Sequence, residues 1–305
     1  MEKHRKKLIK NAAVFDGHSS GLVQGKKIVI EDDIVTEITA DEVSEENFDE
    51  VFDGTGMVAM PGMTDAHVHM GCLFAKGEFP VDYATVLTVA KCKDALMAGF
   101  TTFRDAGSVS EGLKLAFDEG VLPGPRIYPC GAYISQTCGH GDSEYAHTYR
   151  DIQYRHPSST VLADGVPEII RAVREQFYRG ASHIKLMATE ILNRHEDIRL
   201  LFGTDMMITG PDYQVEQSED IRYYEKRFGT MRALRALTGT ANEVFALTTY
   251  QNPYPKGKIG VLEAGSYADL LLVDGDPTKS VSVLADTDHL RLIMKGGTVY
   301  KNTLC

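Results

Sequence analysis

The chain has 305 residues, 43% hydrophobic and 25% charged, which allows one large globular domain or a barrel with a smaller partner domain. A formal net charge of −11 disfavours nucleic acid and anionic membranes as partners, and no apolar run approaches the ~20 residues that span a bilayer. Five cysteines without a C-x-x-C pair argue against a disulfide framework or a zinc ribbon. The basic start MEKHRKKLIK has no apolar signal segment behind it, since Asn11, Asp16 and His18 interrupt. The expectation is a soluble, cytoplasmic chain with reduced thiols.

Residues 8 to 58 read as short strands, LIKNAAVF, KKIVIEDDIVTEIT and VFDGTG, separated by turn chemistry such as DGHSSG. The segment from about 257 onward has the same character in KIGVLEAGS, ADLLLVDGD and LRLIMKGGTVYKN. Residues 1–57 and 251–305 are therefore expected to form one composite β-sandwich around a different middle.

The middle, residues 58–250, alternates. VAMPGMTDAHVHM predicts an apolar strand, and TVLTVAKCKDALMAG a helix stopped by Gly99. FTTFRDAG predicts a second strand, SEGLKLAFDEG a helix and RIYPCGAYIS a third strand. DGVPEIIRAVREQFYRG predicts a helix with Asp164 as N-cap, Pro167 in the first turn and Gly180 at the stop. SHIKLMAT predicts a fourth strand, and MRALRALTGTANEVFAL has the apolar spacing of a packing helix. Strands alternating with helices indicate βαβ units and a parallel sheet.

Side chains two apart on a strand share a face, so Asp65, His67 and His69 can point the same way. Two such imidazoles offer half of a metal site, although a hydrogen-bonded histidine pair beside a turn fits H-x-H as well. Lys185 reads either as a surface lysine or, with Ile184 and Leu186 flanking it in an apolar strand, as an inward-facing functional one. Asp205 in LLFGTD reads equally as a strand-closing turn residue or as a functional carboxylate. His140 in CGHGD either meets a ligand or is a loop histidine. Arg104 and Asp105 read as structural residues, or as residues that support a site from behind its ligands, rather than as catalytic ones.

Six ordered motifs resemble those of the metal-dependent amidohydrolase superfamily, in its prolidase and imidazolonepropionase-like branch. PGMTDAHVHMG is similar to the first barrel strand and AGFTTFRDAGS to the second. YISQTCGHGD is similar to the third-strand loop and GASHIKLMAT to the fourth strand. LLFGTD is similar to the last strand, and IGVLEAGSYADLLLVDGDP to the closing β-sandwich segment. The resemblance implies an α/β fold, a TIM-type (β/α) barrel plus a small β-sandwich. It implies one or two divalent ions, zinc by expectation, held by His67, His69, a carboxylated Lys185 and Asp205. Asp205 would also move the proton of a metal-activated water, and His140 would contact substrate. The implied reaction is cleavage of an amide bond in a dipeptide, of Xaa-Pro type, or in a cyclic amide.

The pattern breaks after the fourth strand. Two further histidines, expected in segments resembling H-A-H-G and E-H-G, are absent, and only His195 and His289 follow Lys185. Lys185 and Asp205 are 20 positions apart, whereas four βα steps of roughly 30 residues need on the order of 120. The expectation is an incomplete barrel with about five of eight strands. Two alternatives to catalysis stay open: an inactive remnant, or an interaction module whose open sheet pairs in a homo-oligomer.

Overall fold

The computed structural model describes residues 5–70, 81–107, 111–139, 141–142, 160–187, 199–207 and 213–304. Alternating apolar residues form β1 (Lys6–Lys10), β2 (Ala13–Val14), β3 (Lys27–Glu31), β4 (Ile34–Thr39), β5 (Glu50–Asp53) and β6 (Val58–Pro61). β1 runs antiparallel to β3 and parallel to β5, giving a sheet of order β4-β3-β1-β5. β6 joins β14 (Leu270–Val273), β15 (Leu290–Lys295) and β16 (Thr298–Asn302) in a second sheet, β16-β15-β14-β6-β2. Strands from both ends of the sequence therefore hydrogen-bond to one another. Ile9, Ile28, Ile30 and Phe52 of the first sheet share a core with Leu270, Leu272, Leu292 and Met294 of the second.

VAMPGMTDAHVHM is two strands rather than one. β6 belongs to the terminal sheet, antiparallel to β14, and β7 (Met63–His69) starts the parallel part. Gly62 marks the change: a Cβ there would lie 2.1 Å from Thr101 Oγ1, so only glycine lets the chain pass. β7 pairs in parallel with β8 (Phe100–Asp105), and β8 with β9 (Arg126–Tyr128). On the other side of β7 lies β13 (Met206–Met207), also parallel, for an order of β13-β7-β8-β9. RIYPCGAYIS likewise splits, because Pro129 has no N–H to continue a ladder. Its second half, β10 (Tyr133–Ser135), lies between β11 (Thr160–Leu162) and β12 (Leu186–Met187) in a separate parallel sheet.

Helices α1 (Val81–Met97), α2 (Glu111–Asp118) and α3 (Val166–Tyr178) stand between successive strands, as the alternation predicts. Asp164 does not cap α3. The cap position is Gly165, at φ +80°, and the Asp164 carboxylate instead accepts from the Thr137 amide and hydroxyl. α4 (Tyr213–Phe228) was not anticipated. The expected single packing helix is two, α5 (Thr230–Leu237) and α6 (Gly239–Phe245), broken where Thr238 adopts φ −134°, ψ −100°.

The main core lies where these helices meet the parallel strands and the outer face of the terminal sheet. Phe100, Phe103, Phe202, Leu234 and Leu237 pack there with Leu271, Val273 and Ile293. A buried ion pair fastens the same junction: Arg126 Nε lies 2.6 Å and Nη2 3.1 Å from the Asp269 carboxylate, with the guanidinium over the Tyr267 ring. Beside it, Lys295 donates to the carbonyls of Phe117 and Gly124, and burial pulls its pKa down to about 8.

Candidate metal centre

β7 carries the two histidines, and the segment before β13 is laid against it. Ala66 N donates to the Phe202 carbonyl at 2.8 Å, and Asp205 N donates to the His67 carbonyl at 2.8 Å. Gly203 permits this approach, since a Cβ there would stand 2.7 Å from that of His67. The strand expected over LLFGTD begins only at Met206. Asp205 itself is left-handed at φ +55°, a conformation that aspartate tolerates better than most residues. That turn brings its carboxylate back over the histidine strand.

Asp205 Oδ1 lies 3.0 Å from His67 Nε2 and 3.1 Å from His69 Nε2. The two imidazole rings are 5.4 Å apart and tilted by 55°. Asp65, expected on the same face, turns elsewhere because the β7–β8 register shifts between Asp65 and Val68 and breaks the two-residue alternation. It accepts from the amides of His67 and Thr204, from Thr204 Oγ1 at 2.9 Å and from Gln217 Nε2 at 3.2 Å. Complete burial pushes its pKa up to about 6 against those four donors.

Lys185 reaches the same point from β12's side, with Nζ 2.9 Å from His67 Nε2. Burial, then the neighbouring Lys185 charge, pulls the His67 pKa down to about 4, and Asp205 opposes this only in part. The neutral imidazole is the form that binds metal. One ligand atom each from His67, His69 and Asp205 lies within 4.8 Å of the others. Two imidazole nitrogens and a carboxylate oxygen are a donor set suited to zinc and related divalent ions. The Asp205 side chain is 70% exposed, so the group opens outward. His140 and His195 lie outside the described residues. His289 lies in the short helix Thr287–His289, with Nδ1 2.6 Å from the Asp274 carbonyl oxygen.

Sequence reasoning passed over His183, two positions before Lys185. Its Nε2 lies 3.1 Å from the Asp105 carbonyl oxygen, so that nitrogen carries the proton and donates. Burial, reinforced by the Arg104 charge, drives its pKa down to about 3. Arg104 donates to the Ala66 carbonyl at 3.2 Å, one residue from His67.

Residues 58–198 match the amidohydrolase family. Ochratoxinase of Aspergillus niger is 34% identical over 152 residues, 43% of this chain and 31% of that protein. Imidazolonepropionase of Picrophilus torridus is 39% identical over 176 residues, 53% of this chain and 43% of that protein. The chain thus spans less than half the length of either relative. Among solved structures, a prolidase complexed with N-methylphosphonate-L-proline superposes with a TM-score of 0.82 at 21% identity, over 97% of this chain and 100% of that one. That likeness is of fold. The likeness of this chain to the amidohydrolase family therefore lies in residues 58–198.

Proposed function

We propose that the chain is a metal-dependent amidohydrolase that cleaves amide bonds in small substrates, dipeptides of Xaa-Pro type before cyclic amides. The observation that carries this reading is the convergence of His67, His69 and Asp205 within 4.8 Å. A divalent ion, zinc by preference, supplies a Lewis acid for the scissile carbonyl when bound. His67 and His69 hold the ion as neutral imidazoles. Asp205, exposed and hydrogen-bonded through its own amide to His67, takes the proton of the attacking water and passes it to the leaving nitrogen. Lys185 joins the ligand set on carboxylation, from its place beside His67 Nε2. The prolidase and ochratoxinase likenesses support amide-bond chemistry.

The same reading takes the chain as two units. Residues 1–57 and 251–305 are a β-sandwich, and residues 58–250 an incomplete barrel of about five strands, whose first four residues pair into the sandwich sheet. A second reading, an inactive remnant, is favoured by one observation: the trio is the described group of ligands, without the two histidines expected on later strands.

The test is metal content per chain, by elemental analysis of protein purified from zinc- and bicarbonate-supplemented cells, followed by Xaa-Pro dipeptide hydrolysis. The proposal expects at least one tightly held ion per chain and hydrolysis lost on chelation. A protein that retains no metal and cleaves nothing is the remnant.

A further inference from the structure

Asp205 is the exposed member of the ligand trio, and its left-handed backbone is a conformation that non-glycine residues keep only where their surroundings hold them in it. Helix α4 lies behind that turn. Gln217, Ile221 and Tyr224 are spaced i, i+4, i+7 along it, so they share one face. Gln217 and Ile221 are each 1% exposed, and Ile221 belongs to the same core as Phe202.

The two polar members of this face both grip the chain around Asp205. Tyr224 Oη donates to the Leu201 carbonyl at 3.2 Å and lies 3.5 Å from the Gly203 carbonyl oxygen. Gln217 Nε2 donates to Asp65 Oδ2 at 3.2 Å, and the same oxygen accepts from Thr204 Oγ1 at 2.9 Å. Asp65 Oδ1 takes the amides of Thr204 and His67, at 3.3 and 3.2 Å. One buried carboxylate thus ties the residue before Asp205 to the strand of the histidines, and α4 holds that carboxylate in place. The helix is itself anchored away from the site. Glu225 accepts from the Ser280 hydroxyl, the Val281 amide, and the amide and hydroxyl of Ser282.

We propose that Gln217 and Tyr224 are positioning residues for the metal centre, holding the Asp205 turn over His67 and His69 through Asp65 and the carbonyls of Leu201 and Gly203. This deepens the function proposed above and rests on it in taking Asp205 as a ligand. A carboxylate that has to be ordered at each binding event binds an ion more weakly than one already in place, because the ordering subtracts from the binding free energy. The support runs from residues 280–282 through α4 to the ligand turn, so the centre depends on chain that carries no ligand.

The test is hydrogen exchange, followed by NMR in the metal-free full chain, of the Asp205 amide that donates to the His67 carbonyl. The Met63 amide, bonded to the Gly99 carbonyl at the start of the same strand, is the internal reference. Gln217→Leu and Thr204→Val are expected to speed exchange at Asp205 by at least about tenfold relative to Met63, and Tyr224→Phe by about threefold. Thr204→Ser keeps the hydroxyl and should restore the parental ratio. If Gln217→Leu does not fold, Tyr224→Phe removes a single half-buried hydroxyl and tests the same helix. An unaltered ratio in either α4 variant, including one in which both amides speed up equally, overturns the proposal. So does a Thr204→Ser chain that exchanges as fast as Thr204→Val. In a competition titration, Gln217→Leu should also bind zinc at least about fivefold more weakly than the parent chain. The two proposals fail separately. A parent chain that binds no zinc while the exchange ratios shift removes only the metal reading. Unaltered ratios in a chain that binds zinc and cleaves dipeptides remove only the positioning role.

Discussion

Lys185 Nζ stands 2.9 Å from His67 Nε2, the same nitrogen that lies 3.0 Å from Asp205 Oδ1. A cation and an anion thus compete at one imidazole edge. The cation, with burial, prevails, so His67 stays neutral well below the ordinary histidine range. Replacing Lys185 by methionine removes the charge and keeps most of the volume. The His67 pKa, followed by NMR titration of the metal-free protein, should rise from about 4 toward the usual value. A value that stays near 4 would assign the whole shift to burial.

Asp205→Asn tests the third ligand. The side chain is 70% exposed, so thermal stability should change little, while zinc affinity in a competition titration falls by at least about tenfold. An unaltered zinc affinity would take Asp205 out of the ligand set.

Part of this centre was legible in the sequence. H-x-H in an apolar strand placed both imidazoles on β7, whereas Lys185 lies one residue ahead of β12 and its neighbour Leu186 is 55% exposed. Asp205 was found in a motif, but its geometry comes from a left-handed residue and from Gly203 against His67, neither of which leaves a periodic signal. Asp65 was misplaced because alternation assumes an unbroken register, and the β7–β8 pairing shifts just there. α4 escaped because YQVEQSEDIRYYEKRF is strongly polar, with no clean apolar stripe. The apolar runs across Gly62 and Pro129 looked continuous, since hydrophobicity alone does not say which sheet each half joins.

Acid sensitivity should follow from His183. Its pKa is depressed from 6.5 to about 3, so between those values the unfolded chain binds a proton that the folded chain refuses. Stability is then present above pH 6.5 and lost as pH falls toward 3, by at most about 1.4 kcal/mol per pH unit. Asp65 acts in the opposite sense. Its raised pKa, about 6, means that its contribution is present below about pH 4 and lost as pH rises through 6. Urea unfolding of His183→Gln at pH 4 to 7 should show a shallower acid-side slope than the parent, and an identical slope would refute the assignment.

The buried Arg126–Asp269 pair should be the costliest contact to break. Asp269 also accepts from the Gly296 amide at 2.7 Å, and both members are at most 10% exposed. Asp269→Ala leaves a guanidinium buried without its counter-ion and should cost about 3–5 kcal/mol, read by denaturant unfolding. A loss under about 1 kcal/mol would mean that water reaches Arg126 and replaces the partner.

The pairing of β6 with β14 also sets an order of events. β6 leads through Gly62 straight into the strand that carries His67 and His69, yet its antiparallel partner is Leu270–Val273. The other flank of that histidine strand waits for Met206 and Met207. During synthesis, nothing N-terminal to residue 205 can complete the ligand trio, and β6 lacks its antiparallel partner until residue 273 has emerged. Contacts this distant in sequence close slowly. The centre is accordingly a late product of folding, and a nascent chain holds its two histidines ready long before it has the carboxylate to go with them.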